Sequence, residues 1–155
     1  GGLVAKAMRS EQGGLRIKAS GFYSSQWPLV RLHRTLPPSV FEGLVKGSEI
    51  GAEAEIRIRP TTQGLASVAL QLTPVWQNDY IGLNSSEFFG RAQIGTGRIK
   101  LLRTPRFHLP GPLQRLSVSL LMHFLPGADL IADADVDVLS IALKRSDPPA
   151  PSDPA

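Results

Sequence analysis

Two short stretches hold the residue types best suited to chemistry. In "ADADVDVLSIALKR" (132–145), aspartates stand at 133, 135 and 137, and leucine or isoleucine continues the same phase at 139, 141 and 143. Alternate residues of a strand share a face, so Asp133, Asp135 and Asp137 concentrate negative charge. That charge must be solvated, paired with Arg or Lys, or bound to a cation. Calcium takes several oxygen ligands; Asp137, at the junction of acidic and apolar residues, is the candidate ligand for a structural calcium ion. Strand-end acids standing in water are the plainer reading. The pattern lacks the glycine and bidentate Glu of an EF-hand loop, so such a site would be composite.

The second stretch, "PVWQNDYIGLNSSEFFG" (74–90), mixes Trp76, Tyr80, Phe88 and Phe89 with Asn78 and Asp79. It reads as too irregular for a strand and too long for a simple hairpin loop, and long loops on rigid scaffolds often carry function. Flat rings beside amide and carboxylate groups suit a ligand with one apolar face and a rim of hydroxyls. The competing reading folds Trp76, Phe88 and Phe89 inward as a cap on the core, where aromatic residues mostly go. In "GFYSSQW" (21–27), Tyr23 offers a second wall for the same ligand, while Trp27 fits the core.

Other chemistry is poorly supplied. With no cysteine there are no disulfides, thiolate ligands or Cys nucleophile. His33, His108 and His123 are widely spaced, without the short interval of a zinc motif; His108, between Phe107 and Leu109, reads as a solvated outer-face imidazole. No G-x-S-x-G elbow, phosphate-cradling loop or H-E-x-x-H is present, and "GTGR" (95–98) lacks the spacing of a dinucleotide loop. Asp79 and Glu87 are available for carboxylate chemistry, but a glycosidase needs two acids at a set separation. The chain reads as a non-enzyme.

The elements that must position these residues are strands. In "AEAEIRIRP" (52–60), Ala52, Ala54, Ile56 and Ile58 alternate with Glu53, Glu55, Arg57 and Arg59, and Pro60 ends the run. Leu15, Ile17 and Ala19 share a face in "LRIKASG"; so do Val68, Leu70 and Leu72 in "ASVALQL", and Leu116, Val118, Leu120, Met122 and Phe124 in "QRLSVSLLMHF". "WPLVRLH" and "RIKLLRTPRFHLP" are less regular extended segments. One helical turn fits residues 38–46, opened by Pro38 or Ser39 and closed by Gly47. Many short strands with 15 Gly and 13 Pro argue for an all-β antiparallel sandwich. In the closing strand, a bulge near Val138 and Leu139 would reset the phase and turn Ala134, Val136 and Val138 inward.

The 155 residues suit one core. Residues 1–13 read as a leader segment in which a short helix is one option, 14–145 as the β-sandwich domain, and "SDPPAPSDPA" (146–155) as a proline-rich linker or tail. The net charge of +4 permits anionic partners, but the basic residues are spread from Lys6 to Arg145, which argues against specific nucleic-acid binding. No apolar run is long enough to span a membrane. Gly1-Gly2 opens the chain without a signal-type segment, as in a processed or excised domain.

Three segments, "LVKGSEIGAEAEIRI", "TPRFHLPGPLQRLSVSLLMHF" and "VDVLSIAL", together resemble the jelly-roll sandwich of the galactose-binding-like carbohydrate-binding modules, over residues 14–145. The resemblance implies an accessory module, extracellular or at the cell surface, that binds an oligo- or polysaccharide without turning it over. On that reading Trp76, Asn78, Asp79, Tyr80 and Tyr23 contact the sugar, no cofactor is needed, and calcium at Asp137 would be structural. The alternative is an assembly module of a surface appendage, secreted complex or virus-like particle, using strand edges and the outward Leu121 and Leu125 for protein contacts. A glycoside hydrolase is the third reading.

Overall fold

Period-two alternation becomes two facing antiparallel sheets with a jelly-roll-like arrangement. The computed structural model describes residues 3–11, 13–23, 29–88, 97–125 and 130–148. Its strands are β1 (Leu3–Arg9), β2 (Leu15–Tyr23), β3 (Leu29–Thr35), β4 (Glu49–Ile58), β5 (Leu65–Trp76), β6 (Asp79–Tyr80), β7 (Leu83–Phe88), β8 (Ile99–Arg103), β9 (Phe107–His108), β10 (Arg115–Phe124) and β11 (Leu130–Ser146). A single helical turn, α1 (Pro38–Phe41), opens on a proline as read from the sequence and is shorter than 38–46.

One sheet runs β1-β2-β11-β4-β8, with β9 on the end of β4; the other runs β3-β10-β5-β6, with β7 also on β5. We call them the β11 sheet and the β10 sheet after their central strands. The core lies between them. It takes Ile50, Ala52, Ala54, Ile56 and Ile58 from β4, Val68, Leu70 and Leu72 from β5, and the even-numbered apolar residues of β10. The stretch read as a leader contains β1, which pairs with β2 from Leu3↔Gly21 to Arg9↔Leu15.

The expected bulge is present. β11 pairs Val138 with Ile56 and then Ser140 with Glu55, so Leu139 is the extra residue. Before it Ala134, Val136 and Val138 are buried in the core. After it Ile141 and Leu143, rather than Ser140 and Ala142, stand opposite the core residues Ala54 and Ala52. Gly14, at φ +83°, lies against the bulge so closely that a Cβ there would stand 2.5 Å from the Val138 carbonyl oxygen. Only glycine fits both the backbone angle and that approach.

Candidate ligand-binding face

The aromatic–polar segment is a hairpin, not a long loop. β5 runs to Trp76, which pairs with Asp79, and the two residues between them have positive φ, 44° at Gln77 and 66° at Asn78. A two-residue turn with both centres left-handed matches the twist of the flanking strands, and asparagine tolerates that conformation well. β7 then returns along β5 from Leu83↔Leu72 to Phe88↔Ser67.

This hairpin separates the residues expected to act together. Trp76 continues the inward parity of Leu70, Leu72 and Pro74, is half-buried, and packs against Phe107 at a centroid distance of 5.4 Å, tilted by 34°. Tyr80 pairs with Val75, so it stands on the opposite, outer face, where 73% of it is exposed. Trp76 and Tyr80 therefore do not form one platform. Asn78 and Asp79 are exposed at the turn, and the Asn78 N–H donates to Gln114 Oε1 at 3.0 Å. Tyr23 ends β2, but its side chain lies outside the described residues, as does that of Phe88; Trp27 and Phe89 lie wholly outside them.

The registers assemble a different polar surface, the outer face of the β10 sheet. Opposite residues of an antiparallel pair share a face, so Thr35, Ser117 and Thr73 form one row; His33, Ser119, Gln71 and Asn84 form the next. Arg31, Leu121 and Ala69 follow, then Leu29, His123 and Ser67, with Arg115, Val75 and Tyr80 closing the other end. The small residues Ser67, Ala69, Ser117 and Ser119 are buried although they face outward, because longer side chains flank them. They form a floor between walls. Two bonds order it: His33 Nδ1 lies 2.8 Å from Ser119 Oγ, and Arg31 donates to Gln71 Oε1 at 2.9 Å. His123 Nδ1 is buried and finds no hydrogen-bond partner among the described residues. The signal for this face was in the sequence, as the polar half of "RLSVSLLMHF", "ASVALQLTP" and "LVRLHRT".

The outer face of the β11 sheet holds the aspartates: Asp133 is exposed near the strand's start, as a strand-end acid in water, but Asp135 and Asp137 are not. Asp137 is fully buried and Asp135 is 4% exposed. Arg16 donates its Nε to Asp135 Oδ1 at 2.7 Å and a second guanidinium nitrogen to Oδ2. Arg57 reaches Asp137 Oδ2 at 3.1 Å and Arg59 reaches Oδ1 at 3.3 Å. The segment after β4 covers them: Thr62 Oγ1 bonds both the N–H and the carbonyl of Asp135, and Arg59 N–H also donates to that carbonyl. The Arg16 hydrogen bond, opposed by desolvation and aided by the charges of Arg16, Arg59 and Lys18, holds the Asp135 carboxyl below the usual carboxylate range.

This donor set does not fit calcium. Each carboxylate already faces guanidinium groups, which repel a dication and occupy its oxygen ligands. Among the described residues no group of three or more His, Asp or Glu is placed to hold a metal ion. His108 is exposed, as expected, with Nε2 3.3 Å from Glu49 Oε2.

No protein-family model matches the chain, and no curated protein matches it in sequence. Among solved structures, it is similar to one from work on the promiscuous specificity of carbohydrate-binding modules of the β-sandwich superfamily, at a TM-score of 0.55 and 11% identity. The match covers 90% of this chain and 53% of that one, so the chain spans about half its length. Looser likenesses are to the C-terminal family 22 carbohydrate-binding module of Clostridium thermocellum Xyn10B (TM-score 0.46, 12% identity, 90% and 82% covered). Another is to the VP2 subviral particle of infectious bursal disease virus (TM-score 0.49, 10% identity, 91% and 31% covered). At these identities the likeness is one of fold.

Proposed function

We propose that the chain is a non-catalytic glycan-binding module whose outer β10-sheet face receives an oligo- or polysaccharide. One observation carries this reading: the registers place hydroxyl, amide and imidazole side chains in adjacent rows over a floor of small residues, with the exposed Tyr80 ring at one end. A sugar needs an apolar face to stack and neutral donors and acceptors for its hydroxyls. Tyr80 stacks, Gln71, His33 and Asn84 bond the hydroxyls, and Asn78 and Asp79 extend the contact along the turn. Trp76 supports the hairpin from behind. The β-sandwich likeness to a carbohydrate-binding module agrees with this reading at the level of fold.

A sugar-binding surface of this kind suits an extracellular or cell-surface module. Among the described residues no helix is long and apolar enough to cross a membrane. The test is a glycan array followed by calorimetry on the intact chain, Tyr80→Ala and Gln71→Ala. Binding by the intact chain that falls in both variants is expected; binding unchanged by either removes this face, and turnover of a polysaccharide would replace binding with hydrolysis.

A further inference from the structure

The sandwich is open along one side. Among the described residues β1 pairs only with β2 and β3 only with β10, so each leaves one edge of backbone N–H and C=O groups unpaired. Three cavities of about 170, 330 and 210 Å³ follow one another along β3, the first facing β1, the second facing Leu15 of β2 and Ile141 of β11, and the third facing Ile141 as well. Leu32 and Leu120 line the first two, and Arg34, Leu36, Val118 and Ile141 line the last two, which makes them one cleft. The β1 wall is lined by Ala5 and Ala7, whose small side chains leave it open.

Arg34 decides what the cleft accepts. It pairs with the buried Val118, so its side chain has the inward parity of Leu32 and Val30. No ion pair or hydrogen bond reaches it among the described residues. Neither edge strand carries an acid: "LVAKAMR" brings Lys6 and Arg9, and "LVRLHRT" brings Arg31 and Arg34. Pairing β1 with β1, or β3 with β3, of a second copy would set like charges together.

We propose that this cleft accepts an extended segment of a partner protein as an added strand beside β3. The segment carries apolar side chains at alternate positions and an acidic one opposite Arg34. Its backbone satisfies the free edge of β3, its apolar residues fill the cleft between the sheets, and its carboxylate pairs with the guanidinium. A fatty acid matches the apolar walls and the cation but leaves both strand edges unpaired, which is why a peptide strand is the better occupant.

The probe is the peptide Thr-Glu-Thr-Val-Thr-Val-Thr and its counterpart with Lys in place of Glu, titrated against the full chain by fluorescence anisotropy. The Glu peptide is expected to bind at least tenfold more tightly than the Lys peptide and to slow amide exchange along β3. Arg34→Glu reverses the preference, and Arg34→Gln, the milder change, removes it. Equal binding of the two peptides, or binding of neither, overturns the proposal. So does peptide binding that leaves β3 amide exchange unchanged, or self-association through this side in light scattering.

Discussion

The two outer faces are built from the same alternation and end in opposite electrostatic states. On the β11 sheet the outward positions include Arg16, Arg57, Asp135 and Asp137, joined by Arg59 and by Glu53 with Arg103 and Lys144, so each of these acids meets a cation of the same surface. On the β10 sheet serine, threonine, asparagine, glutamine and histidine predominate, with Arg31 and Arg115 among them and two side-chain bonds; each face holds one buried nitrogen without a hydrogen bond among the described residues, His123 Nδ1 here and Arg59 Nε there. Charges satisfied within a face hold strands in register and have little left for a ligand. Neutral polar groups over a small-residue floor keep their bonding capacity. The difference teaches that the kind of polar residue, more than its number, separates a structural face from a recognising one.

Removing a buried acid should give the largest effect. Asp137→Ala removes the buried carboxylate that Arg57 and Arg59 share and should lower stability by about 3 kcal/mol in urea denaturation, while glycan affinity of the folded protein stays the same. A loss of affinity without loss of stability would exchange the roles of the two faces. Tyr80→Ala should do the reverse, weakening glycan binding by about tenfold, or about 1.4 kcal/mol, with an unchanged denaturation midpoint. His33→Ala should weaken binding by about fivefold, close to the 1 kcal/mol of one hydrogen bond, because Ser119 loses its partner as well.

Acid sharpens the same contrast more gently. Because the folded Asp135 carboxyl sits below its unfolded value, its stabilisation is present above the ordinary carboxylate range and is lost as pH falls through the lowered folded value. Denaturation midpoints of the intact chain should therefore fall at acid pH, and Asp135→Asn should flatten that fall. An equal acid fall in both proteins would remove Asp135 from the account.

Much of this architecture was legible locally. The inward residues of β4, β5 and β10 follow from period two alone, and the bulge follows from a phase conflict inside "ADADVDVLSIALKR". Burial of Asp135 and Asp137 did not follow, because their cover comes from arginines on β2, on β4 and just after β4, far away in sequence. The hairpin at Gln77 and Asn78 was missed because its two left-handed residues include no glycine, the usual mark of such a turn. The polar face of the β10 sheet was missed for a third reason: β3, β10 and β5 are neighbours only through their register. Of the residues expected to contact a ligand, Tyr80 lies at the end of that face, and Trp76 packs inward against Phe107.

The place of β11 also sets the order in which the molecule can be made. This strand follows all the other described strands in sequence, yet it lies between β2 and β4, and the Arg16–Asp135 bond joins residues 119 apart. During synthesis β2 and β4 leave the ribosome long before the strand that joins them exists. Their free edges must wait, so the β11 sheet closes only after Leu130–Ser146 has been made, and folding is expected to be slow and dominated by late, long-range pairing.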